Sequence, residues 1–138
     1  MYRFVGGEIR KLGAPSRRVR REVFGEAADV SKLPGYPAEA AGKRYAIQVR
    51  QGERRWTVSA ASGESILAAM ERAGILLDSK CRSGECGLCR SQALSGAFFV
   101  NPEGDGRRAA DKEADFIHPC STYPLSDMEV ALPLPRFI

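Results

Sequence analysis

Cys81-Arg82-Ser83-Gly84-Glu85-Cys86-Gly87-Leu88-Cys89 gathers three cysteines into one short segment with C-x4-C-x2-C spacing. The fourth and last cysteine of the chain is Cys120, so none is left over. A loop that brings thiolates this close together must curl tightly, which favours small side chains and permissive backbone angles. Ser83, Gly84 and Gly87 supply both. Backbone N–H groups on the inside of such a curl form a nest that solvates negative charge.

Two irons bridged by two sulfides need four thiolates, two on each iron, and the spacing here is the one used by plant-type [2Fe–2S] centres. Such a cluster carries net negative charge that grows on reduction, and burying it without partners would be costly. The N–H-rich loop answers that need. Zinc also takes four thiolates, but its structural sites usually show two short knuckles, and Cys120 has no close partner in sequence. Two disulfides are the other reading. A chain of 138 residues can bury a core without staples, and no secretory signal is visible. The iron–sulfur reading is favoured, and a zinc-stabilised interaction module stays open as a minor alternative.

The quoted segment resembles the cluster-binding loop of plant-type ferredoxins and of the ferredoxin domains fused to flavin reductases. His118-Pro119-Cys120-Ser121 is similar to the family's segment around its last ligand. The likeness runs over about Lys43 to Leu134. It implies an α+β, β-grasp ferredoxin-like domain, here with an N-terminal extension. It also implies that Cys81, Cys86, Cys89 and Cys120 bind a [2Fe–2S] cluster, with Cys81 and Cys86 on the outer iron and Cys89 and Cys120 on the inner one. The x4 gap separates the chain from the adrenodoxin-like branch, whose first gap is one residue longer.

Composition suits one packed domain without membrane spans. Hydrophobic residues make up 43% of the chain, and no apolar run reaches the length of a span. Four cysteines without a secretory leader point to a cytoplasmic setting and to metal rather than bridges. Charge is uneven. Residues 1–24 carry Arg3, Arg10, Lys11, Arg17, Arg18, Arg20 and Arg21 against Glu8 and Glu22, a net +5, while the rest of the chain nets −1. The ferredoxin-like part thus lacks the strong single-sign field that steers many diffusible carriers. Arg17-Arg18-Val19-Arg20-Arg21 is short, interrupted and without an accompanying binding motif, so no nucleic-acid partner is expected.

Ile9 to Pro15 reads as a helix end, stopped by Gly13 and Pro15, and Arg18 to Phe24 alternates as a charge-rich strand. This order resembles the last pieces of a ferredoxin reductase nucleotide-binding domain, so residues 1–24 are read as a remnant of one. Gly25 to Gly42, with Pro34-Gly35-Tyr36-Pro37, reads as a linker that lets the cluster domain swing or dock. Residues 43–138 form the cluster domain. No Gly-rich phosphate loop and no flavin-binding segment is visible. FAD or FMN and NAD(P)H would therefore belong to a reductase part outside this sequence, and the chain reads as the C-terminal piece of a longer protein.

Within the domain, Tyr45–Arg50 and Trp56–Ser59 predict a hairpin turned at Gln51-Gly52-Glu53. Ser62 is the expected N-cap of a helix over Glu64–Ala73, with Ile66, Leu67, Met70 and Ala73 as its apolar stripe and Gly74 as its stop. Leu76 and Leu77 lead into the cysteine loop. Ser91–Ser95 predicts a strand turned by Gly96, Ala97–Val100 is short and apolar, and Asn101–Gly106 is a turn-rich loop. Asp111–Ile117 predicts a short helix aiming Cys120 back at the loop, and Met128–Leu132 a closing strand.

His118 reads as structural, because a Rieske pattern needs two histidines and four cysteines already complete the shell. Trp56 and Tyr123 read as packing, and Arg82 and Glu85 as exposed loop residues available to a partner. No nucleophile–base pair or catalytic carboxylate pair is legible. The resemblance implies one-electron transfer from a flavin reductase domain, fed by NAD(P)H, to an oxygenase or other metalloenzyme. The alternative is a stand-alone ferredoxin acting as a diffusible carrier. In either case the chain has no substrate site of its own.

Overall fold

The computed structural model describes residues 2–15, 19 and 25–135. Helix α1 (Tyr2–Lys11) opens the chain and ends as expected, with Gly13 in the left-handed region at φ 69°. Most of the strand expected over Arg18–Phe24 lies outside the described residues. Strands β1 (Arg44–Gln51) and β2 (Arg54–Ala61) form the predicted hairpin, turned at Gly52-Glu53 with Gly52 at φ 57°. Their register pairs Ile47 with Val58 and Val49 with Trp56, so one face of the ribbon is apolar.

Helix α2 (Ile66–Arg72) follows. Its N-cap is Ser65, whose Oγ accepts the Ala68 N–H at 3.1 Å, not Ser62. Ser62 is buried and its N–H donates to the Lys43 carbonyl, which closes the open end of the hairpin instead. The inward face of α2 is Ile66, Leu67, Ala69 and Met70; Ala73 is exposed, one residue past the last turn. Each fully buried Ile, Leu or Met contributes about 1.5–3 kcal/mol over its exposed state, so this face anchors the helix to the sheet.

Strands β3 (Ser91–Ser95), β4 (Phe98–Val100), β5 (Phe116–Ile117), β6 (Thr122–Pro124) and β7 (Met128–Ala131) complete the sheets. The main sheet has the order β2-β1-β7-β3-β5, and β4 pairs with β6 in a separate ribbon. The closing strand β7 lies between β1 and β3, parallel to β1 and antiparallel to β3. This mixed sheet gripping one helix is the β-grasp expected from the resemblance.

The short helix α3 spans Ala109–Glu113, earlier than expected. Asp115 at φ 54° breaks it, and Phe116–Ile117 pairs with β3 as a strand instead of continuing the helix. The core holds Ile47, Val49, Val58, Ile66, Leu67, Met70, Ile117, Met128 and Val130, and Cys89 and Cys120 belong to the same cluster. Between α1 and β1, residues 25–42 form two 3-10 turns, Val30–Lys32 and Ala38–Ala40, and bury Val30 and Ala40. No helix among the described residues is long and apolar enough to cross a membrane.

Candidate iron–sulfur site

The chain leaves α2 at Gly74 and enters an irregular loop that ends where β3 begins. Left-handed residues shape it: Arg82 at φ 55°, Gly84 at φ 85° and Gly87 at φ 72°. Two of the three are glycine, as the conformation favours, and the third is an arginine held by its side chain. Arg82 donates to both oxygens of Glu71 at 2.7 and 2.9 Å and to Glu26 at 2.6 Å. It is therefore engaged within the protein rather than free for a partner, whereas Glu85 is exposed as expected.

The curl turns N–H groups toward sulfur. Cys81 Sγ accepts the N–H of Cys86 at 3.4 Å and lies 3.5 Å from that of Ser83. Burial alone would push the Cys81 thiol up, but these N–H groups outweigh it and bring it down to about 6. Cys89 and Cys120, both buried, approach to 3.5 Å between sulfurs. The thiol hydrogen bond between them lowers Cys89 and raises Cys120, because the first thiolate is stabilised by the proton the second retains. Cys86 is the exposed member of the four, and no disulfide joins any of them.

These donors fit a two-iron cluster. The Cys89–Cys120 separation of 3.5 Å is close to the ~3.7 Å between two thiolates on one tetrahedral metal with bonds of ~2.3 Å.

A second loop supports the first. Gly106 N–H donates to the Gly84 carbonyl at 3.1 Å. A Cβ on Gly84 would land on the Gly104 carbonyl oxygen and Ser121 Oγ, and one on Gly106 would sit 2.8 Å from the Gly84 oxygen and the Glu85 Cα. Gly104 and Gly106 thus allow backbone to lie against backbone, a role not assigned to them from sequence although two glycines in three residues are its signal. His118 is buried and its Nδ1 meets the Gly84 carbonyl at 2.5 Å, while Nε2 faces Gly87. Its structural reading matches that place. A cavity of about 410 Å³ opens beside it, lined by Cys86, Arg90, Arg108 and Asp111 among others.

Tyr123 is buried, and its hydroxyl has a contact with the Ala27 backbone that falls short of hydrogen-bond geometry; burial with the nearby Glu26 carboxylate outweighs that contact and pushes it up to about 12. Trp56 is half-buried against the core.

The family described as "2Fe-2S iron-sulfur cluster binding domain" matches residues 49–125. The chain is 34% identical over 88 residues to the reductase subunit of an aromatic O-demethylase from Amycolatopsis sp., covering 62% of this chain and 25% of that one. It is 36% identical over 72 residues to a plant-type ferredoxin of Pseudomonas putida, covering 51% of this chain and 64% of that one. The solved structure of phthalate dioxygenase reductase superposes on 97% of this chain and 38% of its own, with TM-score 0.59 and 21% identity, a likeness of fold. The chain therefore spans only about a quarter of the length of the reductase subunit it matches.

Proposed function

The chain belongs to the 2Fe-2S iron–sulfur cluster binding domain family, and on that premise we propose that it relays single electrons within an NAD(P)H-dependent flavin reductase. Cys81 and Cys86 hold the outer iron, Cys89 and Cys120 the inner one. The observation that carries this reading is the sulfur arrangement: Cys89 and Cys120 Sγ paired at 3.5 Å, N–H groups aimed at Cys81 Sγ, one cysteine exposed and three buried. When bound, the cluster supplies a reversible one-electron couple between Fe(III) and Fe(II).

The protein's part is to bind, shield and tune. Cys89 and Cys120 sit in the apolar core, which excludes water from the inner side. N–H groups at Cys81 stabilise thiolate charge without adding a titrating group. Cys86 lies at the surface and gives the shortest exit to an acceptor. The donor is a flavin reductase part and the acceptor an oxygenase or other metalloenzyme, in the cytoplasm. The names of the relatives support this, because one is the reductase subunit of a demethylase. Helix α1 and the segment after it would be the end of the nucleotide-binding domain, with 25–42 joining it to the cluster domain.

The second reading, a stand-alone carrier, is favoured by the likeness to a plant-type ferredoxin. The genomic reading frame separates the two. An upstream flavin- and nicotinamide-binding region in the same frame supports the reductase; a native start at Met1 contradicts it. The relay itself is tested by anaerobic titration. The holoprotein should take up one electron from dithionite and none from NADH or NADPH unless a flavoprotein reductase is added. Reduction by a nicotinamide alone would overturn the proposal.

A further inference from the structure

Residues 25–30 do more than connect. The Gly25 N–H donates to the carbonyl of Cys81 at 3.0 Å. One oxygen of Glu26 receives Arg82 Nη2 at 2.6 Å and the other receives Ser65 Oγ at 2.8 Å. Ser65 is the residue that caps α2. Val30, four residues on, is buried with 3% of its surface exposed and anchors the segment.

We infer that Glu26 is a positioning residue for the cluster loop, latching the segment before the domain onto the first candidate ligand through Arg82. This rests on the reading of Cys81 as a cluster ligand. Arg82 sits in the left-handed region, where a non-glycine residue is strained, so something must hold it there. Two carboxylates do. Glu71 comes from α2, inside the domain, but Glu26 comes from the preceding segment. The Glu26 side chain is only 22% exposed, and the pair is less screened than a surface ion pair. Holding Arg82 fixes the peptide planes on either side of it, including the one that carries the Ser83 N–H next to Cys81 Sγ. The same carboxylate ties the loop to the helix cap. A displacement of residues 25–30, such as a movement of whatever precedes them, would therefore reach the cluster loop directly.

Six holoproteins test this: the wild type, Glu26→Ala, Glu26→Gln, Arg82→Ala, the double variant Glu26→Ala with Arg82→Ala, and the control Glu39→Ala, which removes an equal charge from an exposed site in the same segment. Three readouts are taken on each: the g values of the dithionite-reduced protein, the rate at which a chelator removes iron, and amide exchange of the peptide 81–90. The latch predicts that Glu26→Ala releases iron at least threefold faster, shifts the g values and speeds exchange in 81–90 while the β1–β2 hairpin stays protected. Glu26→Gln, which keeps an acceptor oxygen, should fall between, and Glu39→Ala should match the wild type. In an Arg82→Ala background, Glu26→Ala should add little.

Unchanged release, g values and exchange in Glu26→Ala would overturn the inference. So would a full Glu26→Ala effect without Arg82. A wild type that binds no [2Fe–2S] cluster would refute the functional reading instead, and exchange of 81–90 would still decide whether Glu26 holds the loop.

Discussion

Gly84→Ala places a methyl group where the two loops touch. Gly84 has φ 85°, and the new Cβ would meet the Gly104 carbonyl oxygen and Ser121 Oγ, with Ser121 Cβ at 2.8 Å. The left-handed backbone costs an alanine about 1–2 kcal/mol, and displacing backbone in a packed site about 1–3 kcal/mol more. A central value of about 3.5 kcal/mol corresponds to a fall in melting temperature of roughly 14–28 °C for a domain this size. Gly96→Ala is the comparison. Gly96 has φ 94°, and its Cβ would meet Asp127 and Met128, 2.7 Å from Met128 Cγ, at the opposite end of β3 from Cys89. Both variants should melt earlier, followed by circular dichroism. Only Gly84→Ala should also lose visible absorption and bound iron at temperatures where the fold persists. If Gly84→Ala keeps a full complement of iron and releases it no sooner than Gly96→Ala, the loop contact does not hold the cluster site.

Replacing Cys81, Cys86, Cys89 or Cys120 singly by serine should remove most bound iron and sulfide in each case, by colorimetric assay; a variant retaining both in full would remove that cysteine from the ligand set. Burial alone would raise the Asp105 carboxyl, but bonds from Arg107 and Lys112 outweigh it and bring it down to about 2. A depressed carboxylate stabilises the fold above its ordinary value and loses that contribution as pH falls toward 2. Asp105→Asn should thus cost about 2 kcal/mol in urea unfolding, equally at pH 6 and 8, with the gap narrowing only below about pH 4. A gap that changes between pH 6 and 8 would assign the effect to another group. Tyr123→Phe removes a buried hydroxyl whose contact with the Ala27 backbone falls short of hydrogen-bond geometry. It should be neutral or stabilising by up to about 1 kcal/mol; a larger loss would mean the hydroxyl has a partner.

Local patterns made the domain legible. Alternation over β1 and β2 and the stripe Ile66, Leu67, Met70 encode faces that burial enforces, and glycines at 52, 74 and 96 mark turns that only a positive φ can make. The cysteine spacing carried the site because ligand chemistry constrains sequence directly. Pairing between distant segments was less legible. Nothing in Met128–Ala131 says that it inserts beside β1, since a buried central strand looks the same in either neighbourhood. The cap expected at Ser62 sits three residues later at Ser65, whose Oγ accepts the Ala68 N–H, while the Ser62 N–H bonds the Lys43 carbonyl at the end of the hairpin. Asp111–Ile117 looked helical until the pairing of Phe116 and Ile117 with β3 outweighed local preference. Gly104, Gly106 and Glu26 act on a loop remote in sequence, so no periodicity points to them.

Four thiolates holding a [2Fe–2S] cluster that takes up one electron set the metal content and the spectrum of the protein. Iron and acid-labile sulfide should be counted on anaerobically purified protein, with electron paramagnetic resonance before and after dithionite. The protein should be red-brown, with equal iron and sulfide, two of each per chain, silent when oxidised and giving a spin-half signal when reduced. Colourless protein carrying zinc in place of iron and sulfide, with no signal after dithionite, would contradict it.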